Sequence, residues 1–177
     1  RSKHVPKPAE LASTKEYRDT YAVKARTDLE DVAFEEKIKM MLKWEKSLHA
    51  KSVSRGLVDY AAFKIAKVFV NSEGANIKFA NSLTWVTLRA DAKKGDLTQS
   101  YDHVIGHSGG YEIFEKQHME KVAEEIGKKA DSLLRAKPAK EEKKMNVNLN
   151  PDYVALLCHE IVGHPSEADG VLGREAA

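Results

Sequence analysis

The sequence predicts an α+β fold, a mainly antiparallel sheet with flanking helices, ending in a helix that carries metal-binding residue types. Three observations predict it. Apolar residues recur at helical spacing over Asp31–Lys51 and again over Phe114–Arg135. Between them, Val53–Ala90 is rich in Val, Ile, Phe, Thr and Trp and is broken by turn residues. Asn150-Pro151-Asp152 then opens a last helix, with Asn150 as N-cap and Pro151 at the first helical position, leading into His159-Glu160-Ile161-Val162-Gly163-His164.

Residues 1–29 hold Pro6, Pro8 and scattered charge and read as an extended lead-in. Phe34, Ile38, Met41, Leu42 and Leu48 give the first helix one apolar stripe, and the Lys and Glu between them form a solvated face. Asn71-Ser72-Glu73-Gly74 is a turn signal that joins Phe63–Val70 to Ala75–Phe79 as a hairpin. Leu83–Leu88 is a further strand. Lys93-Lys94-Gly95-Asp96 makes the next turn, Leu97–Ile105 is strand again, and Gly106–Gly110 is a loop. In the second long helix Met119, Val122, Ala123, Ile126, Ala130, Leu133 and Leu134 share a face. Lys137–Lys144, with Pro138, is a charged linker, and a short strand, Met145–Leu149, feeds the last helix.

The organisation expected is a lead-in over 1–29, an α+β domain over 30–150, and the metal-motif helix with the start of a truncated region over 151–177. The start lacks an initiator methionine and the end follows closely on the motif, so the sequence reads as a piece of a larger protein.

Composition narrows the function classes. Length, at 177 residues, suffices for one domain with a proper core. Lys and Arg number 29 against 27 Asp and Glu, a formal +2, which argues against a dedicated nucleic-acid or membrane-surface binder. No apolar run reaches the length of a membrane span and no signal peptide opens the chain. A single cysteine, Cys158, excludes an internal disulfide and fits a reducing compartment, with cytoplasm as the expected location.

The chemistry is concentrated in the hexad. Two imidazoles hold a divalent cation such as zinc, and a neighbouring glutamate takes a proton from the water that the cation activates. The familiar arrangement spaces its histidines at i and i+4 on one helical face. His159 and His164 are five apart, which on a regular helix turns them roughly 140° away from each other. They reach one metal only if the helix is widened locally, as in a single-turn π-bulge. Pro165 follows at once; it has no N–H to donate and its ring clashes with the carbonyl four residues back, so a distortion is expected here. Val154, Leu156, Leu157, Ile161 and Val162 make the helix largely apolar and predict that it is buried, with Cys158 in the core.

Other candidates are weaker. Gly106-His107-Ser108-Gly109-Gly110 matches the G-x-S-x-G elbow of serine hydrolases, but the required parallel sheet and immediately following helix are not predicted. His103 and His107 form a second close histidine pair, with solvated loop histidines as the plainer reading. Glu167 and Asp169 stand either as a third ligand or as carboxylates accepting a histidine N–H, with ordinary surface carboxylates as the alternative.

Taken together, Met145-Asn146-Val147-Asn148-Leu149-Asn150-Pro151, the hexad and Glu167-Ala168-Asp169 resemble the metal signature of the TldD/PmbA family of metalloproteases. The resemblance covers roughly residues 30–175 and is strongest after 145. It implies a zinc peptidase acting on small or unfolded peptides, with His159 and His164 as zinc ligands and Glu160 as the catalytic acid/base. It also implies a heterodimer with a paralogous subunit that lacks the metal motif. The family's third ligand is a cysteine near the end of a β-rich C-terminal domain, and no position in this sequence corresponds to it. The competing reading is a non-catalytic binding or assembly module with structural histidines. An intact, dry pocket around His159 and His164 with a distorted helix favours the first; a straight helix with the histidines on opposite sides favours the second.

Overall fold

In the computed structural model, which describes residues 13–138, 144, 146–171 and 173, a single long strand is the spine. The chain divides into two units, Arg1–Lys137 and Pro138–Ala177. In the first, the elements run β1 (Arg18–Ala22), α1 (Phe34–Ser47), β2 (Val53–Val70), β3 (Asn76–Lys94), β4 (Leu97–Ser108), a 3-10 turn (Tyr111–Phe114) and α2 (Met119–Leu133). Strand β3 pairs antiparallel with β2 along one edge. On its other edge it pairs first with β1, in parallel from Asn76 to Ala80, and then with β4, antiparallel from Leu83 to Lys94. The sheet is therefore mixed, with three antiparallel strands and one short parallel one, as an α+β fold allows.

Alternation along β3 sets the two faces of the sheet. Ser82, Thr84, Val86, Leu88, Ala90 and Ala92 are buried, and against them α2 presents Met119, Ala123, Ile126, Gly127 and Ala130. Trp44 of α1, Leu48 at its C-terminal end, Tyr111, Phe114 and Leu134 join the same core. Each large side chain fully buried here, such as Leu88 or Met119, contributes roughly 1.5–3 kcal/mol of hydrophobic stabilisation. On the opposite face Phe63 stacks on Trp85, with centroids 5.2 Å apart and planes 20° apart.

Several expectations need correction. Ala75–Phe79 and Leu83–Leu88 belong to one strand, because the pairing with β2 runs unbroken through Ala80-Asn81-Ser82. The hairpin turn at Asn71–Gly74 is where it was expected, but β2 starts ten residues earlier, at Val53 rather than Phe63. Gly106 and Ser108 lie in β4 rather than in a loop. Gly106 faces Trp85 across the ladder, and a Cβ at Gly106 would stand 2.9 Å from that of Trp85, so the glycine makes room for the indole. That position in an antiparallel strand removes the serine elbow. Part of the lead-in, Arg18–Ala22, is a sheet strand; every residue of it is exposed, so no apolar alternation marked it. The second helix begins at Met119, not Phe114, since Tyr111–Phe114 is a 3-10 turn that buries Tyr111 and Phe114. Of the expected strand Met145–Leu149, Met145 lies outside the described residues, and residues 146–149 carry no ladder.

A carboxylate pins the segment after β1 to this turn. Glu112 accepts the N–H groups of Arg26 (3.1 Å) and Gly110 (3.2 Å) on one oxygen and that of Thr27 (3.0 Å) on the other. Burial alone would raise its pKa, but the backbone N–H groups of Thr27, Arg26, Glu112 itself and Gly110 outweigh it and hold the carboxyl at about 2. A depressed carboxyl stabilises the fold above its unfolded pKa, and that contribution is lost as pH falls from about 4.5 towards 2. Glu112→Gln is expected to destabilise the protein by about 2 kcal/mol at pH 7. The gap should shrink at pH 3, read by urea denaturation at both pH values; an equal gap at both would contradict this role.

Candidate metal centre

The second unit, as far as it is described, comprises α3 (Pro151–Cys158), a π turn (His159–Gly163), a 3-10 turn (His164–Ser166) and α4 (Ala168–Val171). Asn150 caps α3: its side-chain oxygen accepts the N–H of Tyr153 at 2.9 Å, and Pro151 occupies the first turn, where its missing N–H costs nothing.

The helix then widens. The N–H of His164 donates to the carbonyl of His159, an i→i+5 bond in place of the i→i+4 bond of a regular helix. With one extra residue in the turn, i+5 stacks above i as i+4 ordinarily does. Pro165, with no N–H to continue the ladder, follows at the point where the helix tightens into 3-10 form. Ser166 donates its hydroxyl to the Val162 carbonyl at 2.6 Å, taking the place of a backbone donor. Sequence reading did not single out Ser166; a hydroxyl just past the helix proline was the available signal.

The distortion brings the two imidazoles together, with ring centroids 4.7 Å apart and planes at 79°. Glu160 joins them, its Oε2 3.8 Å from Nε2 of His164. One donor atom from each of His159, Glu160 and His164 lies within 4.8 Å of the others, and among the described residues no other group of this kind converges. Two imidazole nitrogens and a carboxylate within that span suit a zinc-like divalent cation, so the donor set fits the metal.

Of the remaining expected residues, Glu167 meets Nδ1 of His164 at 2.7 Å. Asp169 stays local, accepting the N–H of Gly170 at 3.1 Å. His103 and His107 lie on β4 opposite Leu88 and Thr84, exposed; four residues apart on a strand, they are separated by about 13 Å and cannot share an ion. The expected burial of the metal helix is not found. Tyr153, Val154, Leu156, Leu157, Ile161 and Val162 are exposed, as is Cys158, because the described part of this unit offers no second layer to pack on them. His164 itself is half-exposed.

Comparison with known proteins follows the two units unevenly. A family model described as the PmbA/TldA metallopeptidase central domain matches residues 27–134, which lie in the sheet unit. A protein of Methanothermobacter thermautotrophicus named as a metalloprotease is 32% identical over 127 residues, 70% of this chain and 28% of the relative. A metalloprotease of Methanocaldococcus jannaschii is 28% identical over 159 residues, 89% of this chain and 34% of the relative, a match broad enough to run into the second unit. The chain thus spans about a third or less of the length of these relatives. A crystal structure from Thermotoga maritima, described as a candidate modulator of a DNA gyrase, superposes with a TM-score of 0.59 at 20% identity. It covers 77% of this chain and 31% of that one, and at this identity shows a shared fold.

Proposed function

The chain belongs to the PmbA/TldD metallopeptidase family, and on that premise we propose that it carries the metal-binding part of a zinc peptidase acting on small or unfolded peptides. The observation that carries this reading is the π turn: it sets His159 and His164 4.7 Å apart, where a regular helix would turn them away from each other. The distorted helix supports the catalytic reading; the dry pocket expected with it is not found, since His159, Glu160 and His164 are exposed.

His159 and His164 would hold the metal through ring nitrogens. When bound, the ion supplies Lewis acidity, polarising a carbonyl oxygen and lowering the pKa of water. Glu160 has the chemistry for the proton transfers: its carboxylate, beside Nε2 of His164, accepts the proton of the attacking water and returns it to the leaving amine. The same reading places the third ligand in a part of the family's proteins outside this chain. It also takes in a heterodimer with a paralogous subunit, which the family resemblance implies, and a cytoplasmic setting, which the single cysteine, Cys158, fits. No helix among the described residues is long and apolar enough to cross a membrane.

Metal removal tests the reading. Cleavage of an unfolded peptide by the purified protein, with its partner subunit, should vanish on treatment with a strong chelator and return on adding equimolar zinc. Cleavage that persists through chelation would overturn it.

A further inference from the structure

We infer that Glu167 is a positioning residue for the metal centre, fixing the ring orientation and tautomer of His164; this rests on the reading of His159 and His164 as ligands. The 3-10 turn builds the contact. In that geometry side chains three apart eclipse, so the residue after His164-Pro165-Ser166 returns over His164. Glu167 leaves the helix there in extended conformation (φ −65°, ψ 136°), with its N–H still bonded to the His164 carbonyl at 3.1 Å. Its Oε1 sits 2.7 Å from Nδ1 of His164.

A carboxylate oxygen accepts, so Nδ1 of His164 is the donor in this contact. In the neutral imidazole Nε2 then carries the lone pair, on the side of the ring where Glu160 stands at 3.8 Å. His159 meets the same ring edge-on. A neutral imidazole held in this way presents one nitrogen to a cation, and loss of such a carboxylate costs about 10- to 100-fold in metal affinity. An ordinary exposed i,i+3 ion pair would affect the helix slightly and the metal hardly at all. Asp169, bonded to Gly170, has no part in this.

Two readouts test the inference in the purified protein. Zinc affinity, measured by competition with a chromophoric chelator, should fall about 10- to 100-fold in Glu167→Ala. In Glu167→Gln, whose amide oxygen still accepts from Nδ1–H, most of the affinity should return. Independently of metal, nitrogen-15 NMR of His164 should report the Nδ1–H tautomer in the native protein and in Glu167→Gln, and its loss in Glu167→Ala. Zinc affinity in Glu167→Ala within twofold of native, or an unchanged tautomer, would overturn the inference. His164→Ala separates the two claims: native zinc binding in that variant would sink the ligand assignment itself. Zinc lost there but retained in Glu167→Ala would sink only the positioning role.

Discussion

Glu160→Gln is expected to lower peptide hydrolysis by about 100- to 10,000-fold while leaving the metal content of the protein unchanged. The substitution keeps the shape of the side chain and removes its capacity to take a proton. Glu160 is exposed and makes no side-chain hydrogen bond among the described residues; its carboxylate stands 3.8 Å from His164 Nε2. Little stability should therefore be lost, and a fall in rate reports on the proton transfers. The same variant separates two roles. Sites with two histidines and a glutamate also occur with the glutamate as the third ligand. In that case Glu160→Gln would lose metal and activity together, and the acid/base role would belong to another residue.

The largest effect on the fold itself is expected at Gly127. Replacing a mid-helix glycine by alanine ordinarily stabilises a helix by up to about 1 kcal/mol. At Gly127 the sign reverses. A Cβ there would stand far inside contact distance of the Leu48 carbonyl oxygen and 3.0 Å from its carbonyl carbon, where the end of α1 crosses α2. The obstacle is backbone, with Ala50 N–H donating to the Leu48 carbonyl, so no side chain can swing aside. Gly127→Ala is expected to cost about 2–3 kcal/mol, read as a lowered urea midpoint. A midpoint at or above the native one would mean that the two helices separate more easily than their packing indicates.

Much of this was legible in the sequence, and what was not has physical causes. The two helices of the sheet unit and the hairpin turn at Asn71–Gly74 follow from periodicity and turn chemistry, which act locally. The single length of β3 does not. Ala80-Asn81-Ser82 has weak strand propensity, and its conformation is imposed by the ladder to β2, a contact between residues far apart in sequence. Strand β1 was invisible for a related reason: it pairs through its backbone and buries no alternating face, apart from Tyr21 stacked on Phe79. Gly106 reads as a loop signal until its neighbour across the ladder is known to be Trp85.

The site shows the opposite balance. Five-residue spacing and the adjacent proline demanded a widened turn, because no regular helix could bring the two histidines together. The π turn at His159–Gly163 has that geometry. The exposure of α3 is not legible, since an apolar helix implies a covering layer, and the described residues of its unit supply none.

The measurement that bears most directly on the central claim is the metal content of the purified protein after exhaustive dialysis, beside His159→Ala and His164→Ala. If the π turn brings both imidazoles to one ion, the native protein holds about one zinc per chain and each variant holds none. Equal zinc in the native protein and either variant would contradict it, because the turn would then be joining two histidines that do not share a metal.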